Sequence, residues 1–153
     1  SWPTSAAEHR TAMLAYFDTS ALIPLVIHEP ATARCRDVWD AAAAIVTSDL
    51  AYVEAHAALA QARRLERLTD ASQERALAAF ESLWAGVARI AVAPLIVREA
   101  AKIARTQALR GCDAVHAASA VATASDDFVA VSGDEALLHA WSGLGIATVD
   151  SRR

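Results

Sequence analysis

The chain has only two cysteines, a single lysine, and no apolar run of the ~18 residues needed to span a bilayer. Each scarcity excludes something. Cys35 and Cys112 lack C-x-x-C spacing, so a structural zinc site is not supported, and both are expected to be reduced, buried thiols. No G-x-G-x-x-G run is present, which removes a dinucleotide-binding crevice of the usual kind. No basic-then-apolar segment opens the chain, so a cytoplasmic protein without membrane attachment is expected. A formal net charge of −4 argues against a general nucleic-acid coat protein, which would be basic. It leaves a nuclease open, because metal ions neutralise an acidic pocket and local arginines can grip phosphates around it.

What is present suits one α/β domain. The chain has 153 residues, 55% of them apolar, and many of these are alanines that favour close-packed helices. Residues 1–12, SWPTSAAEHRTA, look unlike the rest, and the only methionine, Met13, stands just after them. They are set aside as a native extension or a remnant of expression, leaving 13–153 as a single domain.

Strand and helix signals then alternate. MLAYFD (13–18) reads as a buried first strand. Pro30 suits the first position of a helix running to about Ala41, followed by a short strand, AIVT (44–47). Thr47, Ser48 and Asp49 are candidate N-caps for a helix to about Leu68, with Leu50, Val53, Ala57, Leu59 and Leu65 as its apolar positions. Asp70 and Gln73 have capping-box spacing, and Gly86 permits the end of that next helix. A strand at 90–94 and a helix over 95–110, with Gly111 as its C′ residue, come next. An Ala-rich helix from Cys112, a strand at 128–132, a helix from Asp134 to near Gly143 and a last strand at 146–150 complete the pattern. The alternation predicts a three-layer α/β/α sandwich around a mostly parallel sheet. Ligands of such sheets bind outside the C-terminal ends of the strands.

Four acids fall at the edges of apolar segments: Asp18 in LAYFDTSAL, Glu54 in SDLAYVEAHAAL, Asp113 in RGCDAVHAASA and Asp134 in VAVSGDEALL. Asp18 would end a strand at the functional edge, and Asp134 would follow another by two residues. Asp113 and Glu54 would lie near helix starts, where the dipole favours negative charge. Taken singly, Asp113 and Asp134 read as helix caps or dipole partners, and Glu54 as a solvated helix residue. Gathered together, four carboxylates repel one another, and a divalent ion with hard oxygen ligands offsets that repulsion.

In this order the four segments resemble the PIN-domain nucleases and, within them, the VapC-type toxins of bacterial toxin–antitoxin pairs. FDTSAL is similar to the family's first-strand motif. CDAVHAASA is similar to its Asp-Ala-x-His-x-Ala helix, and VAVSGDEAL to its last acidic turn. The resemblance covers residues 13–150. It implies a metal-dependent endoribonuclease that hydrolyses RNA to a 5′-phosphate and a 3′-hydroxyl, with Asp18, Glu54, Asp113 and Asp134 as its catalytic acids. Asp18, Asp113 and Asp134 would be the metal ligands, for Mg²⁺ or Mn²⁺, and Ser20 and Ser132 polar supports of the pocket. It also implies a homodimer, a cognate antitoxin and a transfer, ribosomal or messenger RNA as substrate.

Other residues carry weaker signals. His116 shares a helix face with Asp113 and reads as pocket support. Arg110 is a candidate phosphate contact or a plain helix-end charge. Arg63, Arg64 and Arg67 are either a solvated helix end or a grip on an RNA backbone. His56 and His139 read as helix-surface residues, and Trp39 and Trp84 as core. A phosphatase that forms a phosphoaspartate would want a second acid where Ser20 stands and a suitably placed lysine, whereas Lys102 is the only one. The remaining alternative, a PIN-fold binding module without catalysis, would be expected to have lost one or more of the acids.

Overall fold

The computed structural model describes residues 13–153; the expectation for 1–12 lies outside the described residues. The elements in chain order are β1 (Leu14–Phe17), α1 (Thr19–Leu22), a 3₁₀ turn (Ile23–Leu25), α2 (Thr32–Ala41), β2 (Ala44–Ser48), α3 (Leu50–Arg64) and α4 (Asp70–Trp84). They continue with β3 (Ala88–Ile90), α5 (Pro94–Gln107), α6 (Gly111–Thr123), β4 (Phe128–Ser132), α7 (Glu135–Gly143) and β5 (Thr148–Asp150). All five strands pair in parallel in the order β3-β2-β1-β4-β5. The fold is the expected three-layer α/β/α sandwich.

Period-two alternation along the central strands builds one core on each face of the sheet. Tyr16, Phe128 and Ala130 point to one side, where they pack with Ile103, Ala117, Leu137 and Trp141 of α5, α6 and α7. Ala15, Phe17 and Val131 point to the other, against Leu22, Ala55, Phe80 and Trp84 of α1, α3 and α4. The chain runs outward from β1 through β2 to β3, then returns to lay β4 on the opposite side of β1. The carboxyl ends of β1 and β4 therefore form the switch point where a crevice opens.

Several boundaries differ from expectation for local reasons. Pro30 lies in the turn before α2, because the Thr32 hydroxyl accepts from the Glu29 amide (2.9 Å) and donates to the Pro24 carbonyl (2.6 Å). The capping box before α4 is Thr69–Ser72 rather than Asp70–Gln73, and Asp70 pairs with Arg63 instead. Helix α3 buries Ala51, Ala55 and Leu59 and leaves Val53 and Leu65 exposed. Small residues let it approach the sheet closely, so its inward face is the alanine face. It stops at Arg64 because Glu66 is left-handed (φ 58°) and the Arg67 amide reaches back to Ala62 (2.9 Å). Strand β3 covers only Ala88–Ile90, with Pro94 opening α5 instead of closing the strand, and β5 begins only at Thr148 while Ile146 packs into the core.

Gly111 is not the C′ residue of α5; it opens α6. Ala108 takes the left-handed position (φ 53°), and the Leu109 amide closes the helix on Ala104 (3.2 Å). An L-residue with a Cβ is disfavoured there. Ala108→Gly is expected to stabilise the chain by roughly 0.5–1 kcal/mol, the relief of left-handed strain less the added entropy of glycine. Thermal unfolding of the metal-free protein checks this; an unchanged or lower midpoint would mean that the Ala108 methyl packs usefully.

Candidate active site

Asp18 follows the last residue of β1, and its amide still pairs with Val131 of β4 (3.2 Å). It is also the N-cap of α1, with Oδ1 accepting from the Ala21 amide (3.1 Å). Two serines complete its surroundings. Ser20 donates to Oδ1 and Ser132 to Oδ2, both at 2.7 Å. Each serine in turn accepts a main-chain N–H of the β4–α7 turn: Gly133 donates to Ser20 (2.8 Å) and Asp134 to Ser132 (2.9 Å). Two main-chain dipoles are thereby relayed onto one carboxylate that is only 5% exposed. Gly133 belongs to this packing, since a Cβ there would lie 3.0 Å from the Ser151 hydroxyl and 3.6 Å from that of Ser20.

Burial pushes the Asp18 carboxyl above the usual carboxylate value, more strongly than the pull of His116 and the Ser132, Ser20 and Ala21 hydrogen bonds lower it. Burial thus favours the protonated form of Asp18, and a cation placed beside it would favour the ionised one.

Asp134 caps α7, with Oδ1 accepting from the Leu137 amide (2.9 Å). Asp113 stands in the first turn of α6. Arg110 lies between these two, its Nε 3.2 Å from Asp113 Oδ2 and one terminal nitrogen 4.0 Å from Asp134 Oδ2. The Arg110 side chain is 84% exposed, so water screens both pairs and a competing cation displaces it at little cost.

Glu54 reaches the site from α3. Its Oε1 accepts from Thr19 Oγ1 (2.8 Å) and from Nε2 of His116 (2.6 Å). Burial raises the Glu54 carboxyl, but the His116 hydrogen bond and pull, with Thr19, outweigh it and hold the group below its usual range. Behind His116, Nδ1 lies 2.7 Å from the Tyr16 hydroxyl.

All four acids thus stand at one end of the sheet, joined through shared partners: Ser132 links Asp134 to Asp18, Arg110 links Asp113 to Asp134, and α6 carries both Asp113 and His116. Among the described residues, no three acidic, histidine or cysteine side chains form a ready-made metal cage. The donor set is nevertheless all oxygen and anionic. A magnesium-like ion, which keeps several waters and needs only one or two carboxylates, fits that chemistry. Ser20, Ser132 and His116 all contact one of the acids. Arg63 binds Asp70 away from this site, and Arg67 lines a groove with Ile23, Ile27 and Leu65. Trp84 is in the core and Trp39 half-buried against it. Cys35 is buried as expected, but Cys112 is exposed, because the first turn of α6 turns it away from the packed face.

Thr19 and Tyr16 escaped the sequence reading. Thr19 stands beside the motif acid and looks like a helix-start residue. Tyr16 is a strand residue whose only mark is strict alternation with Phe17, which does not reveal a partner 100 positions away.

A family model described as the PIN domain matches residues 15–140. The chain belongs to the PIN-domain family. Two curated relatives, ribonuclease VapC45 and ribonuclease VapC49 from two strains of Mycobacterium tuberculosis, are each 37% identical over 124 residues, covering 81% of this chain and 86% of theirs. The crystal structure of PAE2754 from Pyrobaculum aerophilum superposes with a TM-score of 0.64 over 91% of this chain and 92% of that one. At 22% identity it supports the fold alone. No helix of this PIN domain among the described residues is long and apolar enough to cross a membrane.

Proposed function

We propose that this PIN domain is a divalent-metal-dependent endoribonuclease, the toxin half of a VapBC-type pair. The observation that carries the reading is the carboxylate set at the β1–β4 switch point, centred on an Asp18 that is buried, raised and braced by two serines. It occurs in a chain 37% identical to two proteins named ribonucleases. Asp18, Asp113 and Asp134 would hold the ion, Mg²⁺ or Mn²⁺. Once bound, it supplies a lowered pKa for water and charge to offset the anionic phosphorane-like transition state.

The chain's own residues do the rest. Glu54, ionised at neutral pH, accepts a hydrogen bond from a water and orients it; a depressed carboxyl is a weak proton sink but a firm anchor. Arg110, 84% exposed and held by Asp113 and Asp134 only through solvent-screened pairs, is placed to meet a substrate phosphate beside them. The serines prevent Asp18 from turning away. The partners of the reading are an RNA of the transfer, ribosomal or messenger class, a cognate antitoxin, and a second copy of the chain. Leu95 and Val121, exposed together on the α5–α6 face, suit burial by that copy.

The test is incubation of purified, antitoxin-free protein with total cellular RNA, including folded tRNA and ribosomes, in Mg²⁺, Mn²⁺ or EDTA. Discrete cuts in metal and none in EDTA are expected. Well-folded protein that cuts nothing under any condition would transfer the weight to a binding module without catalysis.

A further inference from the structure

We propose that Tyr16 and His116 form a buried positioning relay that fixes the proton of the imidazole on Nε2 and so holds Glu54 with one oxygen bound and the other free. This rests on the nuclease reading above, and it adds to it a residue, Tyr16, and a defined tautomer.

The geometry leads there in steps. His116 Nε2 lies 2.6 Å from Glu54 Oε1, and two lone pairs cannot face each other at that distance. A proton must lie between them, and because Glu54 is held below the usual carboxylate range and accepts from Thr19 at the same oxygen, that proton sits on Nε2. In the singly protonated ring Nδ1 is then bare and can only accept. The atom facing it at 2.7 Å is the Tyr16 hydroxyl, which keeps its proton at neutral pH because a phenol has a pKa of about 10. Nδ1 is the one hydrogen-bond partner of that phenol among the described residues. The hydroxyls of Ser119 and Thr47 are spent on the main-chain carbonyls of Val115 (2.7 Å) and Phe17 (2.7 Å), and neither is hydrogen-bonded to Tyr16. Tyr16 is fully buried and His116 nearly so, which leaves little room for water to exchange the protons.

The consequence appears at the other end. His116 and Thr19 both donate to the same oxygen of Glu54, Oε1. Among the described residues no protein donor reaches Oε2. The relay therefore leaves one oxygen of this partly exposed side chain without a protein partner, free to anchor a water or a substrate hydroxyl. Without the Tyr16 proton the imidazole can carry its hydrogen on Nδ1, and its bare Nε2 then repels Oε1. The relay, not the helix, sets the angle of the carboxylate.

Tyr16→Phe removes one oxygen and preserves the ring. In long-range ¹H–¹⁵N spectra of metal-free protein, with the His116 signals assigned by their loss in His116→Gln, the parent is expected to show a bare Nδ1 and a protonated Nε2. Tyr16→Phe is expected to show a mixture of tautomers. In cleavage assays kcat is expected to fall about tenfold with KM nearly unchanged, as for a misoriented group that does not bind substrate itself. Added to Glu54→Gln, Tyr16→Phe should cost nothing more, because it acts through Glu54. Should Tyr16→Phe fold poorly, His116→Gln, which keeps a donor toward Glu54, is expected to retain more activity than His116→Leu, of similar bulk without one.

A doubly protonated or Nδ1-protonated ring in the parent, an unchanged spectrum in Tyr16→Phe, or an effect fully additive with Glu54→Gln would overturn the relay. A parent that cleaves no RNA would sink the nuclease reading instead, and the spectra would still decide the tautomer.

Discussion

Asp18→Asn is expected to lower RNA cleavage by about a thousandfold, some 4 kcal/mol of transition-state stabilisation, while raising the thermal midpoint of the metal-free protein by a few degrees. The two effects have one cause. Asp18 is buried, and its carboxyl is raised chiefly by desolvation. A group that holds its proton more tightly when folded than when unfolded adds stability only while protonated. That contribution is full below the unfolded carboxylate value of about 3.9 and is lost as pH rises through the higher folded value. At neutral pH, without a cation, the ionised side chain is a net cost to the fold.

Asparagine removes the charge and keeps the shape. Its oxygen can still accept from Ser20 and the Ala21 amide, and its amide can donate to the Ser132 oxygen, whose hydrogen then turns toward Ser20, 3.3 Å away. The stability gain should be present at neutral pH and shrink toward pH 3, where the parent is protonated too. Melting curves in EDTA across that range check it. A second signature uses the ion directly: Mg²⁺ should raise the parent's midpoint and leave that of Asp18→Asn nearly unchanged. A variant less stable than the parent at every pH would mean that the serine relay more than compensates burial, and that Asp18 is a structural cap.

Legibility in the sequence followed the range of the interaction involved. Strand β1 and its terminal acid were plain, because an apolar run ending in Asp has few other readings. The mostly parallel pairing came through from alternation of elements, and with it the edge at which the acids meet, whereas the strand order did not. Helix ends were less readable where no glycine marked them: Glu66 and Ala108 both adopt left-handed backbone on residues that sequence preference assigns elsewhere. The phase of α3 was misread because its packed face is alanine, and its larger apolar side chains lie outside. Within the site, the acids and serines carried motif signals. The contacts that orient them did not, since Tyr16–His116 and Thr19–Glu54 are side-chain pairs between elements far apart in the chain. Cys112 was expected to be buried by residue type, but the turn of α6 exposes it.

Asp134 is the acid whose role most needs separating, because it performs a structural task in full view. Its Oδ1 caps α7 while Oδ2 faces Arg110 across 4.0 Å. Asp134→Ala is expected to lose both: about 1 kcal/mol of stability from the cap, and about 30-fold in cleavage from the missing ligand and charge. Asp134→Ser separates them. Serine is as good an N-cap as aspartate, so unfolding should return to within a few tenths of a kcal/mol of the parent. Its hydroxyl cannot replace the anionic Oδ2, so cleavage should remain as low as in the alanine variant, with the Mg²⁺ dependence shifted to about tenfold higher concentration. Recovery of stability alone makes Asp134 a working member of the site that also happens to start a helix. Recovery of stability and cleavage together makes it a cap, and leaves Asp18, Glu54 and Asp113 as the whole of the acidic machinery. In both variants Arg110 also loses one of its two counter-charges and is held in the site by Asp113 alone.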